Sequence, residues 1–235
     1  VGAVALSILT AAFFYRILAY APDISTHPLS LGWSESSRYY YASLYFSDQL
    51  YGMAVPPTVL HPSRYLMQSI PYLISNSPLW FHRLWQVILW VAVTSAASYV
   101  LAWRMKLADP VKRWALFCWA FLFLLIGPVY YHLLIPLIIV LWGYDRQKNW
   151  RTLLLVLLAS VWAGISRINW FPVPGMIAAT LYILEEPARL RSFWQYWSKP
   201  VFWTVLGTAA AFSAQAVYAL LSGNPSEAFT SSLTS

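Results

Sequence analysis

The chain has 235 residues, 60% of them hydrophobic and only 10% charged, with fourteen tryptophans and a mean hydropathy of +0.56; this balance excludes an ordinary soluble domain and points to an integral membrane protein. The net charge of +7 is spread through short segments between apolar runs and is not gathered on aromatic platforms, which excludes a nucleic-acid partner. A single cysteine, Cys118, inside an apolar run, excludes a disulfide framework and a thiolate metal site and reads as a small buried hydrophobe.

Residues 1–21 form the first apolar run, about as long as a spanning helix needs to be. It lacks the basic n-region and small-residue cleavage site of a signal peptide, so it is read as a span, with Arg16 near its end as a snorkelling charge. The sequence opens inside this run without a methionine and closes on the polar stretch SGNPSEAFTSSLTS. It therefore reads as one transmembrane domain, residues 1–235, that is a piece of a longer protein or a processed one.

Residues 22–78 form a long loop with two helix-like parts. In GWSESSRYYYASLYFSDQLYG, Ser34 is a suitable N-cap and Glu35 suits the positive end of a helix running to about residue 50, ended by Gly52 and Pro56. On helical spacing Glu35, Arg38, Ala42 and Gln49 share a face, and Asp48 lies about 140° away from Glu35. Tyr39, Tyr40, Tyr41, Tyr45 and Tyr51 surround this helix without leaving a polar side, as at a membrane interface. In HPSRYLMQSIPYLI, Pro62 fits a first helical position. Tyr65, Leu66, Ile70 and Leu73 fall on one side, which predicts a helix lying in the membrane plane.

Further apolar runs cover residues 79–103, 114–127, 129–143, 152–165, 171–184 and 201–221. Four of these are shorter than the roughly 17 to 25 residues of a spanning helix. They form two pairs, split at Gly127 and Pro128 and at residues 166–174, and fit either paired short helices or re-entrant hairpins. Ten of the fifteen basic residues fall in three loops: Arg104, Lys106, Lys112 and Arg113; Arg146, Lys148 and Arg151; Arg189, Arg191 and Lys199. An excess of lysine and arginine marks cytoplasmic loops. The expected fold is thus an all-α polytopic bundle of about seven spans, with a cytoplasmic N-terminus and the 22–78 loop outside. All four histidines, His27, His61, His82 and His132, then lie on the outer side, with Asp23, Glu35, Arg38, Asp48, Arg64 and Arg167. Chemistry, where the chain performs it, belongs to the outer surface.

Glu35 is the sharpest candidate, since a carboxylate beside water-excluding aromatics suits a general base or a metal ligand. The alternative is a helix charge paired with Arg38 at i, i+3. Asp23 is the second choice, against a turn residue after Pro22, and Asp48 reads as a loop charge. Arg167 interrupts an apolar hairpin; with Asn169 and Trp170 it either grips a lipid phosphate at the outer headgroups or snorkels from the hairpin tip. His61 and His132 suit ligand contacts, but no H-x-x-x-H or H-E-x-x-H spacing supports zinc, and the sequence has no glycine-rich phosphate loop or G-x-S-x-G.

The first span, the acidic and aromatic loop, the run Ser34-Glu35-Ser36-Ser37-Arg38-Tyr39 with Ala42, the His61-Pro62 pair and the short paired spans together resemble the N-terminal half of the GT-C class of polytopic membrane glycosyltransferases. Ser34 stands where that class commonly has an aspartate. The resemblance implies transfer of a sugar from a polyprenyl-phosphate donor to an acceptor on the outer face, in contact with membrane lipids. Glu35, or Asp23 in its place, would engage the acceptor or a metal. Read from the residues and not from the class, Arg38, His61, Arg64, His132, Arg167 and Asn169 are the candidates for binding the substrate and its phosphate. A divalent cation is left open as the cofactor. The rival is a non-enzymatic subunit whose tyrosine-rich loop, through Tyr40 and Tyr45, docks a protein partner. A transporter is less favoured, because the span centres carry almost no polar residues to line a path.

Overall fold

A computed structural model describes residues 2–27, 35–127, 129–186, 192–225 and 227. Every regular element among them is helical. The α-helices are α1 (Gly2–Leu18), α2 (Glu35–Ser43), α3 (Ser47–Tyr51), α4 (Pro62–Gln68), α5 (Leu79–Arg104), α6 (Pro110–Ile126), α7 (Tyr131–Gly143), α8 (Asn149–Gly164), α9 (Val173–Glu185) and α10 (Phe193–Leu221). Three stretches are long and apolar enough to cross a membrane: Gly2–Asp23, which contains α1, then α5 and α10. The four short runs became helices of 17, 13, 16 and 13 residues. At about 1.5 Å per residue these reach roughly 20–25 Å, against the roughly 30 Å of hydrocarbon in a bilayer. Three of the seven expected crossings thus have a helix that spans by its own length.

The chain divides into two compact units, Val1–Pro57 with Arg64–Leu134 and Thr58–Ser63 with Ile135–Ser235. In the first, α1 and α5 pack against α6 around Phe13, Cys118, Phe121 and Leu125, with the Phe13 and Phe121 rings edge to face at 4.6 Å. Cys118 is fully buried, as its apolar surroundings imply. Phe13 is the one buried residue of α1, while Val4, Ile8, Phe14 and Leu18 stand exposed, the pattern of a helix whose outer face meets lipid.

The loop of the first unit departs from the expected single helix. The chain leaves α2 at Ser43, makes a tight 3-10 turn over Leu44–Phe46 and resumes as α3, ending at Gly52, whose φ of +69° closes a left-handed cap. Serines cause the interruption by offering the backbone and neighbouring hydroxyls competing bonds. The Ser43 hydroxyl donates to the Tyr40 carbonyl at 2.6 Å and lies 2.6 Å from the Tyr51 hydroxyl, and the Ser47 hydroxyl accepts from the Val55 N–H at 3.0 Å. Ser34, the expected cap, lies outside the described residues. Helix α4 begins at Pro62 as expected but stops at Gln68, before a 3-10 turn over Ile70–Leu73 that contains Pro71. Of the expected common face, Leu66, Ile70 and Leu73 are exposed together, and Tyr65, on the same helix as Leu66, is buried.

In the second unit α8, α9 and α10 pack together around Val156, Ala159, Ala178, Tyr182 and Trp203. The backbones come close because glycines stand at the crossings. A β-carbon on Gly164 would lie 2.3 Å from the Ala211 carbonyl oxygen, and one on Gly175 would lie 2.5 Å from the Thr204 Cα. Small residues at helix crossings are the usual means of association where lipid removes the hydrophobic drive between helices.

Candidate functional site

In the first unit Glu35 is placed by the start of α2, and its carboxylate meets Arg83 from the first turns of α5. The Arg83 guanidinium donates from Nε to Oε1 at 2.6 Å and from Nη2 to Oε2 at 3.0 Å, and the Tyr39 hydroxyl donates to Oε1 at 3.0 Å. Arg83 also donates to the Ser25 carbonyl and, at 3.3 Å, to the Ser25 hydroxyl. Arg83 is 0% exposed and Glu35 2%. Arg83 is thus an ion partner of Glu35 that the i, i+3 spacing did not foresee, and the carboxylate accepts from three donors. Burial first, then the Glu35 charge, raises the Tyr39 phenol well above its ordinary range.

Arg38 lies within the field of Arg64. Its pKa is lowered by burial first and by Arg64 second. The Arg64 guanidinium sits over the Tyr130 ring at 4.6 Å and the Tyr65 ring at 5.7 Å, and the Tyr131 hydroxyl donates to the Arg64 carbonyl at 3.3 Å. His132 is buried next to them, its ring 6.0 Å from that of Tyr130. The structure thus brings Arg38, Arg64 and His132 together around a tyrosine cluster. Asp23 lies half-buried in a 3-10 turn (Ala21–Asp23) and makes no ion pair among the described residues. Asp48 is exposed.

The second unit holds a cavity of about 160 Å³ lined in part by His61, Ser166, Arg167, Gln215 and Tyr218. Its walls are fixed by polar bonds. The Ser63 N–H donates to the Ile165 carbonyl at 2.8 Å, the Ser63 and Ser166 hydroxyls lie 2.7 Å apart, and the Tyr218 hydroxyl donates to the Thr58 carbonyl at 2.8 Å. His61 Nδ1 lies 3.1 Å from the Ser166 carbonyl oxygen, and the residue holds a left-handed backbone with φ of +54°. Such a conformation in a non-glycine residue, here directly before a proline, persists only where its surroundings impose it.

Of the sequence candidates, His61 and Arg167 line this one cavity, while Asn169 is exposed in the 3-10 turn Ile168–Trp170 and does not line it. The sequence reading missed Ser166, Gln215 and Tyr218. The available signal was Gln215, the one amide in the apolar run 201–221. Among the described residues no three His, Cys, Asp or Glu side chains come together to hold a metal ion. Set against protein-family models, curated proteins and solved structures, the chain matches none of them.

Proposed function

We propose that the chain is a membrane glycosyltransferase domain that uses a polyprenyl-phosphate-linked sugar donor at the outer membrane face. The observation that carries this reading is the cavity where Arg167 and His61 stand with the Ser166, Gln215 and Tyr218 side chains. A permanent cation among neutral hydrogen-bonding groups suits the phosphate of such a donor, whose charge rises as the sugar departs. In this reading the N-terminus is cytoplasmic, the 22–78 loop is outside, and the short helices complete seven crossings. Glu35 is not the acceptor base in this reading, because Arg83 and Tyr39 occupy its carboxylate.

The test is sugar transfer from polyprenyl-phosphate donors in membranes containing the chain, with expression level measured alongside. Transfer by the wild type, reduced about 100-fold or more in Arg167→Ala and retained in Arg151→Ala, supports the reading. Absence of transfer by well-expressed wild type sinks it.

One observation favours a second reading, a non-enzymatic subunit. Tyr40, Tyr41 and Tyr51 stand 53%, 37% and 46% exposed on α2 and α3, rings that a protein partner would cover. Tyr45 is half-buried, so Tyr40→Ala is the change expected to release such a partner.

A further inference from the structure

Buried polar atoms without partners are expensive, and the first unit gathers several at one place. Gln68 and Gln86 are each 3% exposed, and among the described residues neither the Gln68 side-chain nitrogen and oxygen nor the Gln86 side-chain oxygen has a hydrogen-bond partner. Arg64, 9% exposed, likewise leaves its Nε without one.

These residues stand on two helices that are joined beside them. The Trp85 indole donates to the Met67 carbonyl at 2.8 Å, which joins α4 to α5 one residue ahead of each glutamine. Arg64 and Gln68 are one helical turn apart on α4, and Gln86 and Trp90 one turn apart on α5. Arg64 and Trp90 both meet Tyr130, which lies 4.6 Å beneath the Arg64 guanidinium and 5.8 Å from the Trp90 ring. The set therefore offers donors from Arg64 and Gln68, acceptors from both glutamines, and aromatic faces alongside.

A phosphate would use the donors and leave the two amide oxygens opposed to negative charge. An apolar group would leave every one of them unsatisfied. A group whose adjacent hydroxyls donate and accept at once uses them all, with its C–H face against the aromatic rings. From this we infer that Arg64, Gln68 and Gln86 form a binding site for a neutral polyhydroxylated group, the sugar type of ligand, either free or carried on a lipid. The assignment stands on the first unit alone and does not require the transfer chemistry proposed above, nor the cavity lined by His61 and Arg167.

The experiment is thermal denaturation of the full chain in lipid nanodiscs free of sugar detergent, titrated with D-glucose, with n-octyl β-D-glucoside and with decyl phosphate. The variants are Gln68→Met and Gln86→Met, which keep side-chain length and remove the amide. In the wild type, saturating glucoside raises the melting temperature by about 2–4 °C, decyl phosphate does so less, and each variant halves the glucoside shift or more. The unliganded variants melt at the wild-type temperature or above, since each loses an unsatisfied buried amide. A shift with glucose as well means that the site reads the hydroxyls alone; a shift with the glucoside only means that it reads a lipid-borne sugar. No shift with either, as when the amides hold only water, overturns the proposal. So does an equal shift in wild type and both variants, or a larger response to decyl phosphate.

Discussion

Removing Arg83 is the most informative single perturbation of this chain. In Arg83→Met the Glu35 carboxylate, 2% exposed, loses two charge-assisted bonds and retains the Tyr39 hydroxyl. Breaking one side of a buried ion pair costs about 3–5 kcal/mol, because the remaining charge is stranded away from water. That is a large part of the roughly 5–15 kcal/mol of a typical domain. Glu35→Gln strands the Arg83 charge in its turn, 0% exposed, and costs about 3–5 kcal/mol as well, although the amide oxygen still accepts from the guanidinium. Replacing both, Glu35→Gln with Arg83→Met, leaves no buried charge stranded and lies well below the sum of the single changes. The contrast is the Arg151–Asp145 pair, 4.0 Å apart and with the arginine side chain 51% exposed, where Arg151→Ala costs under about 1 kcal/mol. Equilibrium unfolding of the four variants in detergent, followed by tryptophan fluorescence, measures all of these. Strict additivity of the Glu35 and Arg83 effects, or a cost for Arg83→Met no larger than that for Arg151→Ala, would refute the reasoning.

Two other outcomes follow from the same geometry. Tyr72, whose hydroxyl donates to the Tyr39 carbonyl at 3.0 Å, has its phenol pushed up to about 12 by burial first and Tyr51 second. The unfolded phenol ionises near pH 10, so this group's contribution is fully present below about pH 10 and fades toward pH 12; melting curves should fall across that window less steeply in Tyr72→Phe. Gly175→Ala drives a methyl to 2.5 Å from the Thr204 Cα and costs about 1–3 kcal/mol in the same unfolding assay, whereas Gly2→Ala, with nothing within 4 Å, is close to neutral.

Local signals were readable in the sequence and long-range ones were not. Pro62 opens α4, Gly52 closes α3, and the break over residues 166–174 falls between α8 and α9, because proline and glycine act through their own backbone. The interruption after Ser43 was hidden, since it depends on where the Ser43 and Ser47 hydroxyls find partners eight residues on. Arg83 was hidden for a stronger reason. It sits inside an apolar run and lies 48 positions from Glu35, whereas spacing rules reach one or two helical turns. Gln68 and Gln86 look like ordinary polar residues at the edges of apolar segments. Only their burial without partners makes them candidates.

The left-handed backbone of His61 carries a consequence for protein engineering. Glycine adopts such a φ without steric cost, so by the backbone criterion position 61 is improved by losing its side chain. His61→Gly would relieve that backbone while removing the imidazole and its contact with the Ser166 carbonyl from the cavity wall. Stabilised variants of this chain are best chosen with that position held fixed, so that gains come from elsewhere and the cavity's chemistry is kept.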